Sequence, residues 1–261
     1  MSASLESRAE FVTRRQCREV LAHLAQSPVE NLVLIDLVRE ISDSWRDTGA
    51  QVVAAWEGDQ VSGVASLRPI ISTDAGMGEE ALLACLPVLM CVEVGLIKSS
   101  PDRTAVIWEC LRSRGRSALI DRDETAYVRS LDAEDTSWPS SPPEAVLRPA
   151  RMDDLEYLVD AARASLLEES RPDPFRSDIA GFRRWVASRV DRARLVEVGG
   201  QPLFVAYADV RQSDGWLIQG VYTWPHARRQ GYARAGMSDL LREAQEAGAR
   251  HVQLAVVKGN S

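Results

Sequence analysis

Histidine is scarce in this sequence, and cysteine is never clustered. The three histidines, His23, His226 and His251, lie far apart, and none of the four cysteines, Cys17, Cys85, Cys91 and Cys110, forms a CxxC pair. With no Cys/His group at metal-ligand spacing, no metal site is expected. The cysteines read as buried thiols in a reducing cytoplasm rather than as a disulfide framework. No Lys/Arg-rich block appears, and the formal net charge is −7. Nucleic-acid binders draw much of their affinity from a basic footprint, so no nucleic-acid partner is expected, nor an anionic membrane surface. Long hydrophobic runs are missing too. The opening MSASLESRAEFVTRRQ is polar and mixed in charge, with no apolar signal core. The most apolar stretch, 81–97, contains Pro87 and Glu93 and is short for a bilayer span.

What is present is a globular composition, 45% apolar and 26% charged, in a chain of 261 residues, enough for two ordinary domains. Residues 132–143, DAEDTSWPSSPP, are acidic, Ser-rich and Pro-rich, which disfavours both helix and sheet. They read as a linker between a domain at 1–131 and another at 144–261.

The two halves share an outline. In the second, Leu155, Leu158, Val159, Ala162 and Leu166 have helical spacing, and a second helix is expected over 179–190. Strands at 193–198 and 203–210 flank Gly199-Gly200-Gln201-Pro202 and read as a hairpin. In the first half, helices at 14–24 and 31–41 precede a hairpin at 51–67 turned by Glu57-Gly58-Asp59-Gln60. A further strand follows each hairpin, at 86–97 and 215–224, then a helix, at 103–114 and 231–247. Each helix ends at a glycine, Gly115 or Gly248. Strands at 117–120 and 251–257 close the pattern. The expectation is an α/β fold with a mixed sheet, in duplicate; an unrelated α/β domain in the first half is the alternative.

The chemistry-bearing segment is Gly220-Val221-Tyr222-Thr223-Trp224-Pro225-His226-Ala227-Arg228-Arg229-Gln230-Gly231-Tyr232-Ala233-Arg234. A strand ends, a short loop turns, and a helix opens on a glycine. Backbone N–H groups at a helix start converge on one point where the helix dipole favours an anion. Small residues at 231 and 233 admit a diphosphate to the backbone, and Arg228, Arg229 and Arg234 add cationic donors. Arg228-x-x-Gly231-x-Ala233 resembles the (R/Q)-x-x-G-x-(G/A) signature of the GNAT N-acetyltransferases. The preceding strand, the amphipathic helix with Met237, Leu240, Leu241 and Ala244, and the later strand ending in Lys258-Gly259-Asn260 agree with that family's order. The resemblance covers 145–261; over 1–131 it is one of element order, and no such signature follows Ile97. It therefore implies a tandem arrangement with a degenerate N-terminal GNAT-like domain and an acyl-CoA N-acyltransferase fold in the C-terminal one.

The resemblance also implies a site. Acetyl-CoA, as co-substrate, would lie between the diverging strands 215–224 and 251–257. Its pantetheine would bond to the backbone near Val221 and Thr223, its diphosphate would sit on Arg228, Arg229, Gln230, Gly231, Tyr232, Ala233 and Arg234, and Asn260 would lie close by. Direct attack by a neutral amine requires no covalent enzyme intermediate. A base for the ammonium is less evident. The strand 215–224 has no Asp or Glu, which leaves Gln219 to orient a water or the amine. Glu168 and Glu169, after the first helix, suit a cationic acceptor; Tyr222 and His226 fall near the thioester end. Each also has a plain reading, as a strand, helix-end or loop residue on a wet surface, and Trp224 reads as packing. The family's fourth helix, its Tyr acid and its final strands have no counterpart after Asn260, so strand 251–257 is expected to expose an edge that the N-terminal domain or a second copy of the chain, as a homodimer, could cover. Two functions stay open: acetyl transfer to a small-molecule or peptide amine, and a catalytically weak acyl-CoA-binding or regulatory module. A plain α/β domain without a CoA site is a third.

Overall fold

The computed structural model describes residues 7–43, 49–131, 145–173 and 175–258. They form two compact units, Met1–Ala118 and Leu119–Ser261. The expected linker, 132–143, lies outside the described residues.

The first unit runs β1 (Arg8–Phe11), α1 (Cys17–Leu24), α2 (Leu32–Asp43), β2 (Gln51–Glu57), β3 (Gln60–Arg68), β4 (Ser72–Thr73), α3 (Glu79–Leu89) and α4 (Pro101–Ser113). Its sheet is antiparallel in the order β1-β2-β3-β4. Side chains alternate across a strand, and β2 is apolar on both faces. Val52, Ala54 and Trp56 join a core with α1 and α2, while Val53 and Ala55 join another with α3 and α4. Gly58 takes the positive φ that the β2–β3 turn needs.

Two expectations for this half are corrected. Residues 86–97 are not a strand: helix α3 covers Glu79–Leu89, and only Ile97 bridges the sheet, in parallel with Ile71. Glu79 and Glu80 sit at the positive end of the helix dipole, and Ala81, Leu82, Cys85, Leu86 and Leu89 bury one helical face. A short apolar run has no periodicity that separates strand from buried helix. Helix α3, rather than 103–114, is therefore the element that follows the sheet's last strand. Nor is there a strand at 117–120.

The second unit runs β5 (Glu124–Ser130), β6 (Val146–Pro149), α5 (Leu155–Glu168), α6 (Ile179–Ala187), β7 (Ala193–Val198), β8 (Gln201–Arg211), β9 (Trp216–Thr223), α7 (Tyr232–Glu246) and β10 (His251–Val257). The sheet order is β5-β10-β9-β8-β7-β6, with β9 and β10 parallel and the other neighbours antiparallel. Helices α5 and α6 cover one face around Leu158, Leu195 and Val205; α7 covers the other around Phe204, Ile218 and Leu240. Gly199 and Gly200, both at positive φ, make the two-residue turn of the β7–β8 hairpin. Strand β10 is not an edge, contrary to expectation. It pairs with β5 from His251↔Ser130 to Val257↔Glu124. Every residue of β5 is exposed, so the strand is held through its backbone ladder and carries no hydrophobic alternation in its sequence.

Candidate active site

The second unit's sheet opens between β9 and β10. The parallel pairing of β9 with β10 is confined to Val252↔Trp216 and Gln253↔Leu217, yet the strands run on to Thr223 and Val257. Beyond Leu217 they part, leaving backbone groups of β9 without a ladder partner on that side. Gly220, at φ +55°, lies in an irregular stretch of β9; a Cβ there would stand 2.8 Å from the Tyr207 ring.

The gap leads to the start of α7. Trp224 closes β9, Pro225–Ala227 make a single 3-10 turn, and Arg229 and Gly231 both take left-handed φ, +63° and +91°. The first bond of the helix runs from the Ala235 N–H to the Gly231 carbonyl at 3.0 Å, so the N–H groups of Tyr232, Ala233 and Arg234 have no intrahelical acceptor. The first turn holds no acidic side chain. A Cβ built on Gly231 would meet nothing within 4 Å, so the space before the helix is open. Gln230 pins the loop by donating to the His226 carbonyl at 2.7 Å.

Helix α5 supplies the facing wall. It ends because Ser170 turns left-handed, at φ +52°, and the Arg171 N–H bonds back to the Leu166 carbonyl at 2.8 Å. That termination places Glu168 and Glu169 in the lining of a cleft of about 1000 Å³. Arg228 donates from Nη2 to Glu168 Oε1 and Oε2 at 2.7 and 2.8 Å, and from Nε to the Thr223 carbonyl at 3.0 Å. Its guanidinium carbon lies 5.6 Å from the Tyr222 ring centroid, and the Tyr222 hydroxyl donates to Glu168 Oε1 at 3.4 Å. The bond to Glu168 strengthens Arg228's hold on its proton. Burial, followed by the Glu168 charge, raises the Tyr222 phenol above its usual value, with Arg228 opposing.

Most of the expected site residues meet here. Val221, Thr223, Arg228, Arg229, Gly231, Tyr232, Ala233 and Arg234 line the cleft, with Tyr222, Glu168 and Glu169. Gln219 does not line it and is exposed on β9. Gln230 supports the loop rather than the lining, and Asn260 lies outside the described residues. Sequence reasoning missed Arg122, Ser165, Val257 and Lys258, which also line the cleft. Lys258 was legible as the residue ending strand 251–257. Arg122 carried no signal, because its segment reads as part of the first domain.

In chain order the loop before α3 is the first unit's counterpart of this one, and it is filled by its own side chains. The buried Asp74 carboxylate accepts the N–H groups of Val64 and Gly76 at 2.5 and 2.8 Å, with His23 Nε2 at 3.4 Å. Arg103 donates to the carbonyls of Asp74, Ala75 and Met77, each at 2.9 Å. Asn31 Oδ1 accepts the Ala75 N–H at 2.8 Å.

Among the described residues no three of His, Cys, Asp or Glu stand together as a metal would need, and no helix is long and apolar enough to cross a membrane.

The model of the acetyltransferase (GNAT) family matches residues 155–261, from the first residue of α5. No curated protein matches the chain. Among solved structures, a Drosophila protein is similar over 97% of this chain and 90% of its own, with TM-score 0.71 and 15% identity. A tandem GNAT protein from the clavulanic acid biosynthesis pathway is similar over 98% and 91%, with TM-score 0.51 and 14% identity. An acetyltransferase of the GNAT family from Colwellia psychrerythraea is similar over 97% and 91%, with TM-score 0.52 and 12% identity. At such identities the likeness is one of fold. Residues 155–261 thus match the GNAT acetyltransferase family model, within a chain that has the tandem GNAT fold over nearly its whole length.

Proposed function

We propose that this chain is an N-acetyltransferase that moves an acetyl group from acetyl-CoA to a primary amine by direct attack. The observation that carries the reading is the parting of β9 from β10 beside a helix start with three N–H groups that no intrahelical carbonyl accepts. Gly231 lets a diphosphate reach those N–H groups, and Arg229, Arg234 and Lys258 line the same space. The backbone of β9 near Val221 and Thr223 has donors and acceptors for the amides of a pantetheine arm. Acetyl-CoA supplies the activated acyl group; the protein supplies placement and a field that favours its charges. The overall change forms an amide C–N bond and breaks the thioester C–S bond. Starting from an ammonium, two protons leave the nitrogen: one ends on the CoA sulfur and one in solvent.

A second reading, an acyl-CoA-binding module without turnover, is favoured by one feature: both cleft carboxylates, Glu168 and Glu169, are already ion-paired with arginines. Calorimetry with acetyl-CoA, followed by an amine screen read as free thiol, separates the two. Binding with acceptor-dependent thiol release supports the enzyme. Binding without release for any amine supports the module, and no binding removes both.

A further inference from the structure

The adjacent carboxylates at the end of α5 are held differently. Glu168 has two short contacts to Arg228, at 2.7 and 2.8 Å, and a third to the Tyr222 hydroxyl. Charge-assisted bonds of that length are the strong ones. Glu169 is held more loosely. Arg122 Nη1 is 3.3 Å from its Oε2, Arg171 Nη1 is 3.6 Å away, and the Ser165 hydroxyl donates to Oε1 at 3.3 Å. Arg122 also reaches Glu124 at 3.0 Å. By distance, the looser ion pair of the two is therefore Arg122–Glu169.

The ion-paired groups around that pair balance, Arg122, Arg171 and Arg228 against Glu124, Glu168 and Glu169; the cleft's remaining cations, Arg229, Arg234 and Lys258, are those that the acetyltransferase reading gives to the diphosphate. A bare ammonium drawn to Glu169 must displace a guanidinium, and it leaves a net positive charge among side chains only 22% and 27% exposed, Arg122 and Glu169. Partial burial weakens the water that would otherwise screen that charge. A guest carrying both an ammonium and a carboxylate avoids the penalty. It replaces one loose ion pair by two and leaves the net charge unchanged.

We infer that the acceptor is a small primary amine that also bears a carboxylate, with its ammonium on Glu169 and its carboxylate on Arg122. The inference rests on the acetyltransferase reading of the same cleft. Arg122 is then a specificity-determining residue contributed by the segment leading into β5.

The experiment compares free α-, β- and γ-amino acids with their carboxamides, which keep the amine and lose the negative charge. It is run on the full chain with acetyl-CoA by thiol release, and on the CoA-loaded chain by calorimetry. At least one amino acid should exceed its carboxamide ten-fold or more in kcat/KM and in affinity. Arg122→Gln should reduce that preference at least ten-fold, mainly through KM, and Arg122→Lys should restore part of it. Carboxamides that perform as well as the acids, or a preference that Arg122→Gln leaves intact, overturn the inference while acetyl transfer itself stands. Amino-acid binding that shows the preference without any thiol release keeps the zwitterion site and removes the enzyme reading. No binding of either class overturns the inference.

Discussion

At Gly231 the backbone takes a φ of +91°, and a Cβ would project into open space before α7. Two effects make a side chain costly there. A β-branched residue in that conformation is strained by about 1–3 kcal/mol, and its methyl groups occupy the space through which a phosphate reaches the helix N–H groups. Gly231→Val should therefore weaken acetyl-CoA binding by more than ten-fold, over about 1.4 kcal/mol, in a protein that remains folded. Calorimetry beside a melting curve checks both halves. Unchanged affinity in a folded variant removes the cradle from the argument. Gly236 differs, because its backbone is helical and its neighbour is close. A Cβ there would lie 2.5 Å from the Phe204 ring, a side chain with no exposure. Alanine in a helix normally gains about 1 kcal/mol over glycine, whereas overpacking a filled core costs about 1–3 kcal/mol. The ring cannot swing into solvent, so Gly236→Ala should lower stability in chemical denaturation, and an increase would show that α7 shifts freely on β8.

The entry to α5 shows what charge contributes to one element. Asp154 accepts the Arg151 N–H at 2.7 Å and two bonds from Arg148 at 2.8 Å, and Arg148 also holds Glu197 on β7. The Arg148 bonds, opposed by burial and aided by the Arg151 N–H, hold the Asp154 carboxyl below the usual carboxylate range. A folded pKa below the unfolded one gives stability that is complete above the unfolded value, about 3.9, and is lost as pH falls through the folded value. Asp154→Asn should cost about 1–3 kcal/mol near neutrality, and the gap should close as pH falls below about 4. A gap that stays constant through acid would show that the carboxylate's charge contributes nothing.

Legibility also varied from element to element. Helix α5, the glycine-turned hairpins and the strand–loop–helix around Gly231 were readable, because periodicity and glycine placement are local signals. Helix α3 was not, because Leu86–Val94 contains an apolar run that suits a strand or a buried helix equally. Strand β5 was not, because a strand exposed along its whole length has no hydrophobic pattern to display. The site inherits that blind spot. The phosphate-facing residues were named from one contiguous motif, whereas Arg122 reaches the cleft through the pairing of β5 with β10, which no local pattern announces.

Over the whole molecule, the two units share one run of elements, strand, two helices, three strands and a helix, from β1 to α3 and from β6 to α7, and differ in what occupies the loop before that last helix. In the second unit the helix start is open and its first N–H groups lack intrahelical acceptors. In the first, Asp74 takes the N–H groups of Val64 and Gly76, and Arg103 holds three loop carbonyls. A diphosphate would meet a carboxylate with no exposure to solvent, and like charges at such a place repel strongly. The full chain should therefore bind acetyl-CoA at one site, with a stoichiometry near one. Gly231→Val should weaken that site without revealing a second. Asp74→Ala tests the same point from the other side. It leaves the buried Val64 N–H without its acceptor, which costs about 1–3 kcal/mol, so it should lower the melting temperature without raising the stoichiometry. Two equivalents of acetyl-CoA bound by the unaltered chain, or a residual tight site in Gly231→Val, would mean that the first unit holds a CoA site, and the contrast between the two loops would lose its functional meaning.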